Sequence, residues 1–441
     1  MKNLLLIFVL FQYLHGNDFN NALIEEYPSS NKSNHIDIVI KDNIDIKGLV
    51  TSAGSLALEN NVAKENAFLI DKLLKNGFHV KGKANLSEWA NFRSTKSVSG
   101  WSSINGQTTH HLDSKYNPCG SSSGSAVAVA SGIVEIAIGT ETNGSITCPA
   151  SVAGIVGFKP TVGLVSRRGI IPIAESQDTA GPMGNTVEII AKTMEAIAGP
   201  DPRDASTNNI PSYFNYNFLE FTKNQDLNGV RLGLLDSGFD NEYGKIFLKK
   251  IINDIKKLGG EIVLIDDNRR YPSEEEYLVL LYEFKHGLES YLENSTEKKK
   301  SLKEIIDFNE RYAEKVMPFF DQEIFYAALE ASEDHSAYFE AKETLKEASS
   351  QTLDLMNQYD IDAFIGLTRG PAWKINYKGG DNVASQEVLS FGNGGYAAFG
   401  GLPHITIPYF KIEKFPVGIS LIGRPWSDAE IISYAAALEK K

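Results

Sequence analysis

The chain has 441 residues, of which 42% are hydrophobic and 22% charged, so it can bury a large core in one or two domains. Its formal net charge of -13 argues against a nucleic-acid partner, because the lysine run at 298–300 does not offset the acidic excess. We expect that run to lie on a solvated helix face.

The first sixteen residues predict a secretory signal. Lys2 precedes the apolar run from Leu4 to Phe11, and Gly16 ends the segment before a polar stretch. The run is too short for a stable membrane anchor but has the order of a signal peptide. We therefore expect cleavage of residues 1–16, a single domain at 17–441, and a secreted or periplasmic protein. The alternative is a buried N-terminal helix.

Neither the two cysteines nor the eight histidines predict a metal site. Cys119 and Cys148 each lie in a Gly/Ser-rich turn, and no His or Cys spacing is typical of zinc ligands. We interpret both cysteines as packing residues, although a secreted chain could oxidise them if their Cα atoms lay within about 7 Å. No metal and no cofactor is predicted.

Strand and helix patterns alternate along most of the chain. Residues 36–41 alternate apolar and polar positions, and residues 64–76 have apolar positions at helical spacing, ending at Gly77. Further strands are expected within 80–90 and at 133–138, 230–235, 262–265, 363–367, 404–407 and 417–422, with further helices at 246–258 and 428–438. This alternation predicts an α/β layered fold with a largely buried, mixed sheet.

Residues 272–359 interrupt that alternation. They contain long charged helical patterns and few strand signals. A helical insertion between strands often covers one edge of the sheet as a lid or substrate wall. Packing in the outer layer without a role in the site is the alternative.

Two Gly/Ser-rich turns lie between Cys119 and Pro149. The second follows the strand expected at 133–138 and precedes a helix expected to open at Pro149. Its backbone N–H groups can point into one concavity, because Gly permits unusual dihedral angles and Asn tolerates them. Such a nest can serve as an oxyanion hole for attack by a serine. The turn residues are Thr142, Asn143, Gly144 and Ser145; a plain strand-to-helix link is the alternative.

A serine nucleophile needs a base. His110 and His111 have no acidic companion at a telling spacing, whereas Lys41 ends an apolar strand. Burial would disfavour the charged form of Lys41 and lower its pKa. A surface lysine is the alternative interpretation.

The first turn holds three adjacent serines that local sequence does not separate. Residues 120–124 fit the GxSxG pattern, which would make Ser122 the nucleophile of an α/β-hydrolase elbow. That elbow must follow a strand, but the preceding YNPC is typical of a loop. Ser121, Ser122 and Ser123 therefore all remain candidates to act with Lys41 and Ser145.

Long motifs in the chain resemble the amidase signature family. They are IVIKDNIDIKGLVTSAGS around Lys41, GSSSGSAVAVASG around Ser121 and GTETNGSITCPASVAGIVGFKPTVGLVSRRGIIP around Ser145. The resemblance continues through KANLSEWANFRS, SQDTAGPM, GGLPHITIP and PVGISLIGRPWSD, so it covers nearly the whole chain from residue 36. The sequences of these motifs are most similar to those of bacterial peptide amidases and their close relatives.

The resemblance implies a large mixed twisted β-sheet covered by helices on both faces, with a helical insertion. It implies a cofactor-free amide hydrolase with Ser145 as the nucleophile, Ser121 as a bridging serine held by a cis peptide bond, and Lys41 as the base. Oxyanion donors by the same resemblance are the N–H groups of Thr142, Asn143, Gly144 and Ser145. The implied partner is a small-molecule or peptide amide substrate, such as a linear carboxamide or peptide C-terminal amide.

Three departures from the family pattern stand out. Asn143 lies where many members have Gly or Asp, Cys119 and Ser123 replace common glycines, and the stretch before Lys41 is short. The alternatives are hydrolysis of another acyl amide or an ester, or a non-catalytic binding protein on this fold. A glutaminyl-tRNA amidotransferase component is disfavoured, because a signal peptide would take it away from tRNA.

Overall fold

One mixed sheet of eleven strands organises the chain. The computed structural model describes residues 20–30, 32, 35–235, 241–267, 269–387 and 394–441, so the predicted signal at 1–16 lies outside the described residues. The strands are β1 Leu23–Glu26, β2 Ile36–Lys41, β3 Phe78–Ala84, β4 Trp101–Ser102, β5 Gly106–Gln107, β6 Ile136–Glu141, β7 Val156–Lys159, β8 Thr179–Gly184, β9 Arg231–Leu235, β10 Glu261–Ile265, β11 Ala363–Leu367, β12 His404–Ile412 and β13 Phe415–Ile422.

The order in the large sheet is β1-β3-β2-β6-β8-β7-β12-β13-β11-β9-β10, and β4 pairs with β5 separately. Strand β2, third in this order, runs parallel to β3 and β6, whereas β8, β12 and β13 pair antiparallel with their neighbours. The mixed sheet expected from the sequence is confirmed.

Helices fill the connections between these strands. They are α1 Phe68–Lys75, α2 Ser123–Ala130, α3 Thr147–Ala153, α4 Val187–Ile197, α5 Phe218–Phe221, α6 Glu242–Lys257, α7 Ser273–Asn294, α8 Leu302–Arg311, α9 Ala313–Val316, α10 Glu323–Ala331, α11 His335–Gln358, α12 Gly380–Ala384, α13 Gly395–Phe399 and α14 Asp428–Glu439. In the ranges that the structure describes, no helix is both long and apolar enough to cross a membrane.

Helices cover both faces of the sheet, as the family resemblance implied. Ile38 and Ile40 of β2 belong to a hydrophobic cluster with α1, α4 and α14, whereas Val39 belongs to a cluster with α2 and α3. Successive side chains of a strand point to opposite faces. Lys41, two residues after Val39, therefore points to the face covered by α2 and α3, the helices that follow the two Gly/Ser turns.

Several predicted boundaries shift. The strand expected at 133–138 is β6 at Ile136–Glu141, so it runs directly into the second turn. The helix expected to open at Pro149 is α3, which begins at Thr147. Lysines 298–300 were predicted on a helix face; this was wrong, because they lie in the link between α7 and α8. There the Lys299 and Lys300 amines donate to the carbonyls of Ala57 and Leu292.

The insertion predicted at 272–359 comprises α7 to α11. It is anchored by the loop after β3, where Arg93 and Glu88 form a fully buried ion pair with a 2.7 Å contact. The Arg93 guanidinium also donates to the carbonyl of Val316 at 2.7 Å. A second Arg93 N–H donates to the Phe320 carbonyl at 3.3 Å, so Arg93, with its charge balanced by Glu88, links this loop to the insertion.

Candidate active site

The amine of Lys41 lies fully buried at the end of β2. Its Nζ is 2.8 Å from Ser121 Oγ, 2.8 Å from Thr140 Oγ1 and 3.2 Å from the Thr140 carbonyl oxygen. The Asn43 side-chain amide donates to the same Thr140 hydroxyl at 3.0 Å. The alternation that ends β2 on a lysine therefore produces a buried amine within hydrogen-bond reach of a serine.

Burial lowers the pKa of Lys41 from its usual value to about 7, although the negative charges of Asp178 and Glu141 partly oppose this effect. A lysine with a pKa near neutrality is partly unprotonated at physiological pH, and only the neutral amine can accept a proton. Lys41 thus has the position and the acidity of a general base.

The three serines of the first turn have different surroundings. The Ser122 hydroxyl donates to the Thr140 carbonyl at 3.1 Å, and the Ser123 hydroxyl donates to the Cys119 carbonyl at 2.6 Å. Ser121 alone of the three lines the large cleft and contacts Lys41. The peptide bond between Gly120 and Ser121 is cis, as the family resemblance implied.

The second turn brings Ser145 to the same place. The Ser122 backbone N–H donates to the Ser145 carbonyl at 3.1 Å, and Ser145 and Ser121 line one cleft. Ser145 keeps 8% exposure, whereas Ser121 and Lys41 are at 0%, so Ser145 is the member of the three that substrate can reach. Lys41, Ser121 and Ser145, named from the sequence, are therefore brought together.

The backbone of this turn is arranged as a nest. Gly144 has φ of +82°, a conformation that favours glycine. None of the described residues accepts a hydrogen bond from the N–H groups of Thr142, Asn143, Gly144 or Ser145. Unused donors grouped within one turn are suited to an oxyanion.

Two carboxylates that the sequence did not assign hold this nest. Glu141 accepts the N–H groups of Ile146 at 2.7 Å and Thr147 at 2.9 Å. Asp178 accepts the Thr142 hydroxyl and the N–H of Ile173, and burial raises the pKa of Asp178 to about 6. Glu141 lies in the GTET motif and Asp178 in the SQDTAGPM motif, both of which carried the resemblance. The sequence predicted no role for either carboxylate, because it does not show which N–H or hydroxyl groups they bind.

Cys119 and Cys148 are joined by a disulfide, with their Cα atoms 6.1 Å apart. The interpretation of both as packing residues was wrong, and the oxidation that the sequence left open for a secreted chain is present. The Ser122 N–H donates to the Ser145 carbonyl, so the two turns lie side by side. The two cysteines are 29 residues apart in the sequence, and that separation does not reveal the contact. The disulfide therefore crosslinks the turn that carries Ser121 to the helix that follows Ser145.

Replacing both cysteines by serine is expected to lower the free energy of unfolding by roughly 3.5 kcal/mol, because the crosslink joins residues 29 positions apart in the unfolded chain. Chemical denaturation measures this difference. Wild type treated with reductant should match the Cys119→Ser, Cys148→Ser variant, and reductant should not change the variant. An unchanged denaturation midpoint would contradict a stabilising disulfide.

A cleft of about 1470 Å³ opens over the two serines. One wall consists of sheet-domain residues, including Ile171, Pro172 and Arg167. The opposite wall is the insertion, which contributes Tyr282 and His286 from α7 and other residues from α11. The described ranges contain no cluster of His, Cys, Asp or Glu side chains that could hold a metal ion.

A family model described as Amidase matches residues 34–432, which is most of the chain. The chain belongs to the amidase family. The matched range includes Lys41, Ser121, Ser145 and the insertion. Membership of this family identifies the protein as an enzyme that hydrolyses amides.

Solved structures give the same result for the fold. The native peptide amidase from Stenotrophomonas maltophilia is 36% identical, with a TM-score of 0.89 that covers 98% of this chain and 91% of that one. The peptide amidase PAM, solved with the competitive inhibitor chymostatin, is also 36% identical, with a TM-score of 0.90 over 98% and 92% of the two chains. The predicted fold and the resemblance to bacterial peptide amidases are confirmed.

Curated relatives have broader descriptions. A probable amidase of Arabidopsis thaliana is 33% identical over 92% of this chain and 76% of its own length. A glutamyl-tRNA(Gln) amidotransferase component of Sulfurihydrogenibium sp. is 32% identical over 90% of this chain and 81% of its own length. The comparisons therefore define the family of this amidase but leave its substrate to be inferred from the site.

Proposed function

We propose that this amidase hydrolyses a linear carboxamide, with the C-terminal amide of a peptide as its substrate class, to a carboxylate and ammonia. The observation that carries the proposal is the buried, weakly basic amine of Lys41, 2.8 Å from Ser121 Oγ, in the cleft that also contains Ser145. The two closely similar peptide amidases support the same substrate class.

Proton transfer begins at Lys41. A neutral amine has two N–H groups and one lone pair. The hydroxyl and carbonyl oxygens of Thr140 lie at 2.8 and 3.2 Å and accept the two N–H groups, which leaves the lone pair for the Ser121 hydroxyl. Thr140 thus orients the amine, and Ser121 passes its proton to Lys41 while it takes the proton of Ser145.

Ser145 then attacks the carbonyl carbon of the amide. The oxyanion that forms is held by N–H groups of the turn at 142–145, and one such donor contributes about 3 kcal/mol in other enzymes. When the C–N bond breaks, the proton returns through Ser121 to the leaving nitrogen, which departs as ammonia. Water, activated by the same relay, hydrolyses the resulting ester and releases the carboxylate.

The size of the cleft favours an extended substrate. Pockets for compact small ligands are typically about 300 to 1,000 Å³, and this cleft is larger, at about 1470 Å³. Its charged residues are largely paired with one another, as Arg167 is with Asp204 and Lys342 with Glu283. An uncharged peptide tail directed toward the insertion fits this lining better than an isolated small amide or a strongly charged tail.

A substrate panel tests the proposal. We expect wild type to release ammonia from a tripeptide amide with higher kcat/KM than from a short acyl amide, and to show no turnover of glutamine. Preference for glutamine would instead assign an ammonia-donor function. Turnover of a peptide methyl ester alone would assign an esterase, and turnover of no compound would leave a binding protein on this fold.

We also propose that the protein is exported after cleavage near Gly16. The order of charge and apolar residues in 1–16 supports this, and so does the disulfide, because such bonds persist in oxidising compartments. N-terminal sequencing of the exported protein should begin near Asn17. Cytoplasmic protein that retains Met1 would contradict export.

A further inference from the structure

Two different parts of the fold hold side chains of the turn at 142–145, which we call the oxyanion turn. Thr142 donates its hydroxyl to Asp178, which directly precedes β8 in the sheet domain. Asn143 donates its side-chain amide to Glu276 at 2.9 Å, and Glu276 lies in the first turn of α7, the first helix of the insertion. The turn is therefore held from the sheet on one side and from the insertion on the other.

The Glu276 carboxylate accepts hydrogen bonds from three side chains. Its Oε1 accepts Asn143 and the side-chain amide of Gln177, both at 2.9 Å, and its Oε2 accepts the Tyr271 hydroxyl at 2.7 Å. The residue is 6% exposed. In the described part of the chain no lysine, arginine or histidine forms an ion pair with it, so these charge-assisted hydrogen bonds and its place in the first turn of α7 stabilise the carboxylate.

The partners of Glu276 reinforce this link. Gln177 immediately precedes Asp178 in the chain. Asp178 accepts the Thr142 hydroxyl directly, and Gln177 is connected to the Asn143 side chain through Glu276. Tyr271 lies 3.3 Å from the Asn143 amide through its hydroxyl, which adds a second contact. A glycine at position 143 would make neither of the two Asn143 bonds.

We propose that Asn143 and Glu276 are a positioning pair that fixes the oxyanion turn against helix α7 and so maintains the geometry for transition-state binding. The inference rests on the proposed function, because it concerns the same oxyanion hole. Neither residue is among those that line the cleft in the described ranges. The pair therefore acts on the transition state through the backbone N–H groups and leaves ground-state substrate binding unchanged.

The test compares Asn143→Ala, Glu276→Ala and the double variant with wild type. Complete loss of one oxyanion donor costs about 10² to 10³ in kcat; here the donors remain but are less well fixed, so each single variant should lose about tenfold in kcat, with KM changed less than twofold. Because the two residues act as one link, the double variant should lose no more than either single variant. Glu275→Ala is the matched control, since Glu275 is the preceding residue of α7 and pairs on the surface with Arg270.

A second readout does not depend on turnover. Hydrogen exchange should be followed at the two N–H groups that bond to carbonyls of the turn, Cys148 N–H to Gly144 and Ser122 N–H to Ser145. Their exchange should accelerate in Asn143→Ala and in Glu276→Ala, but not in Glu275→Ala. Asn143→Ala keeps the backbone and leaves Glu276 its other two donors, so it remains informative if Glu276→Ala folds poorly.

Unchanged exchange and unchanged kcat in Asn143→Ala would overturn the inference, as would multiplicative losses in the double variant. These results are distinct from a failure of the proposed function. If wild type shows no amide turnover while exchange still accelerates in the variants, the positioning pair stands and the assigned reaction is wrong. If wild type turns over and the variants match it in both readouts, the pair is wrong and the reaction stands.

Discussion

Replacement of Ser145 by alanine is expected to lower kcat for a peptide amide by at least about 10⁴-fold with the fold intact. Without the Ser145 hydroxyl no ester to the enzyme can form, and only binding and the N–H groups of the turn remain to accelerate the reaction. The alanine removes one partly buried oxygen at a turn, so the thermal midpoint should change little. Ammonia release at saturating substrate measures the loss.

Ser122→Ala is the matched control for this variant. Ser122 lies in the formal GxSxG pattern, but its hydroxyl is bonded to the Thr140 carbonyl and it does not line the cleft in the described part of the chain. We expect Ser122→Ala to keep kcat within about tenfold of wild type, because it loses two supporting hydrogen bonds to the Thr140 backbone and no reacting group. The opposite pattern, in which Ser122→Ala is inactive and Ser145→Ala is active, would assign the nucleophile to the first turn.

Replacement of Lys41 by methionine is expected to lower kcat/KM at pH 8 by about 10²- to 10⁴-fold, the usual contribution of a general base. Methionine preserves much of the volume and removes the amine. Wild type should also have a characteristic pH profile. Below a pKa of about 7 the Lys41 amine is protonated and cannot accept a proton, so kcat/KM should fall about tenfold per pH unit, and above it kcat/KM should level off. This rising limb should vanish in Lys41→Met.

Lys159→Met is a stringent control for the pH profile. Lys159 is also fully buried, and burial lowers its pKa to about 8, but its amine bonds the Pro160 carbonyl at 3.2 Å. Its variant should keep the rising limb that belongs to Lys41. If Lys41→Met retains the limb and Lys159→Met loses it, Lys41 is not the base.

The sequence predicted best those features that depend on local pattern. The strand at 36–41 and the strand at 363–367 have the predicted bounds, because polar turns on both sides mark where a short apolar strand begins and ends. The insertion at 272–359 was also located, since long amphipathic helices repeat their pattern over many residues. The same reasoning named Lys41 as a candidate base, with a surface lysine as the alternative, and the full burial of Lys41 in the structure decides between the two.

Short strands without alternation were missed. β7 is VGFK and β8 is TAGPMG, and both are buried along their whole length in the middle of the sheet. Glycine and proline normally indicate turns, and a segment of four to six residues buried on both faces has no polar alternation to reveal it. The same lack of contrast displaced the predicted end of β6, whose final residues GTE are buried although they look like part of the turn.

The site required contacts that sequence separation conceals. Lys41 and Ser121 are 80 residues apart, and Asn143 and Glu276 are 133 apart. Local sequence left three serines equivalent, and their different hydrogen bonds arise only after β6 packs beside the first turn. Glu276 had no signal at all, because one glutamate in the acidic first turn of a long helix is ordinary sequence.

The central claim is that Ser145 forms a covalent acyl intermediate. Wild type should be mixed with the activated ester of a peptide acid, quenched in acid within the first turnover, digested and mapped by mass spectrometry. The acyl group should be found on the peptide that contains Ser145, and Ser145→Ala treated in the same way should carry none. An acyl group on Ser121 or Ser122, or rapid release of product with no acylated peptide in wild type, would contradict the account.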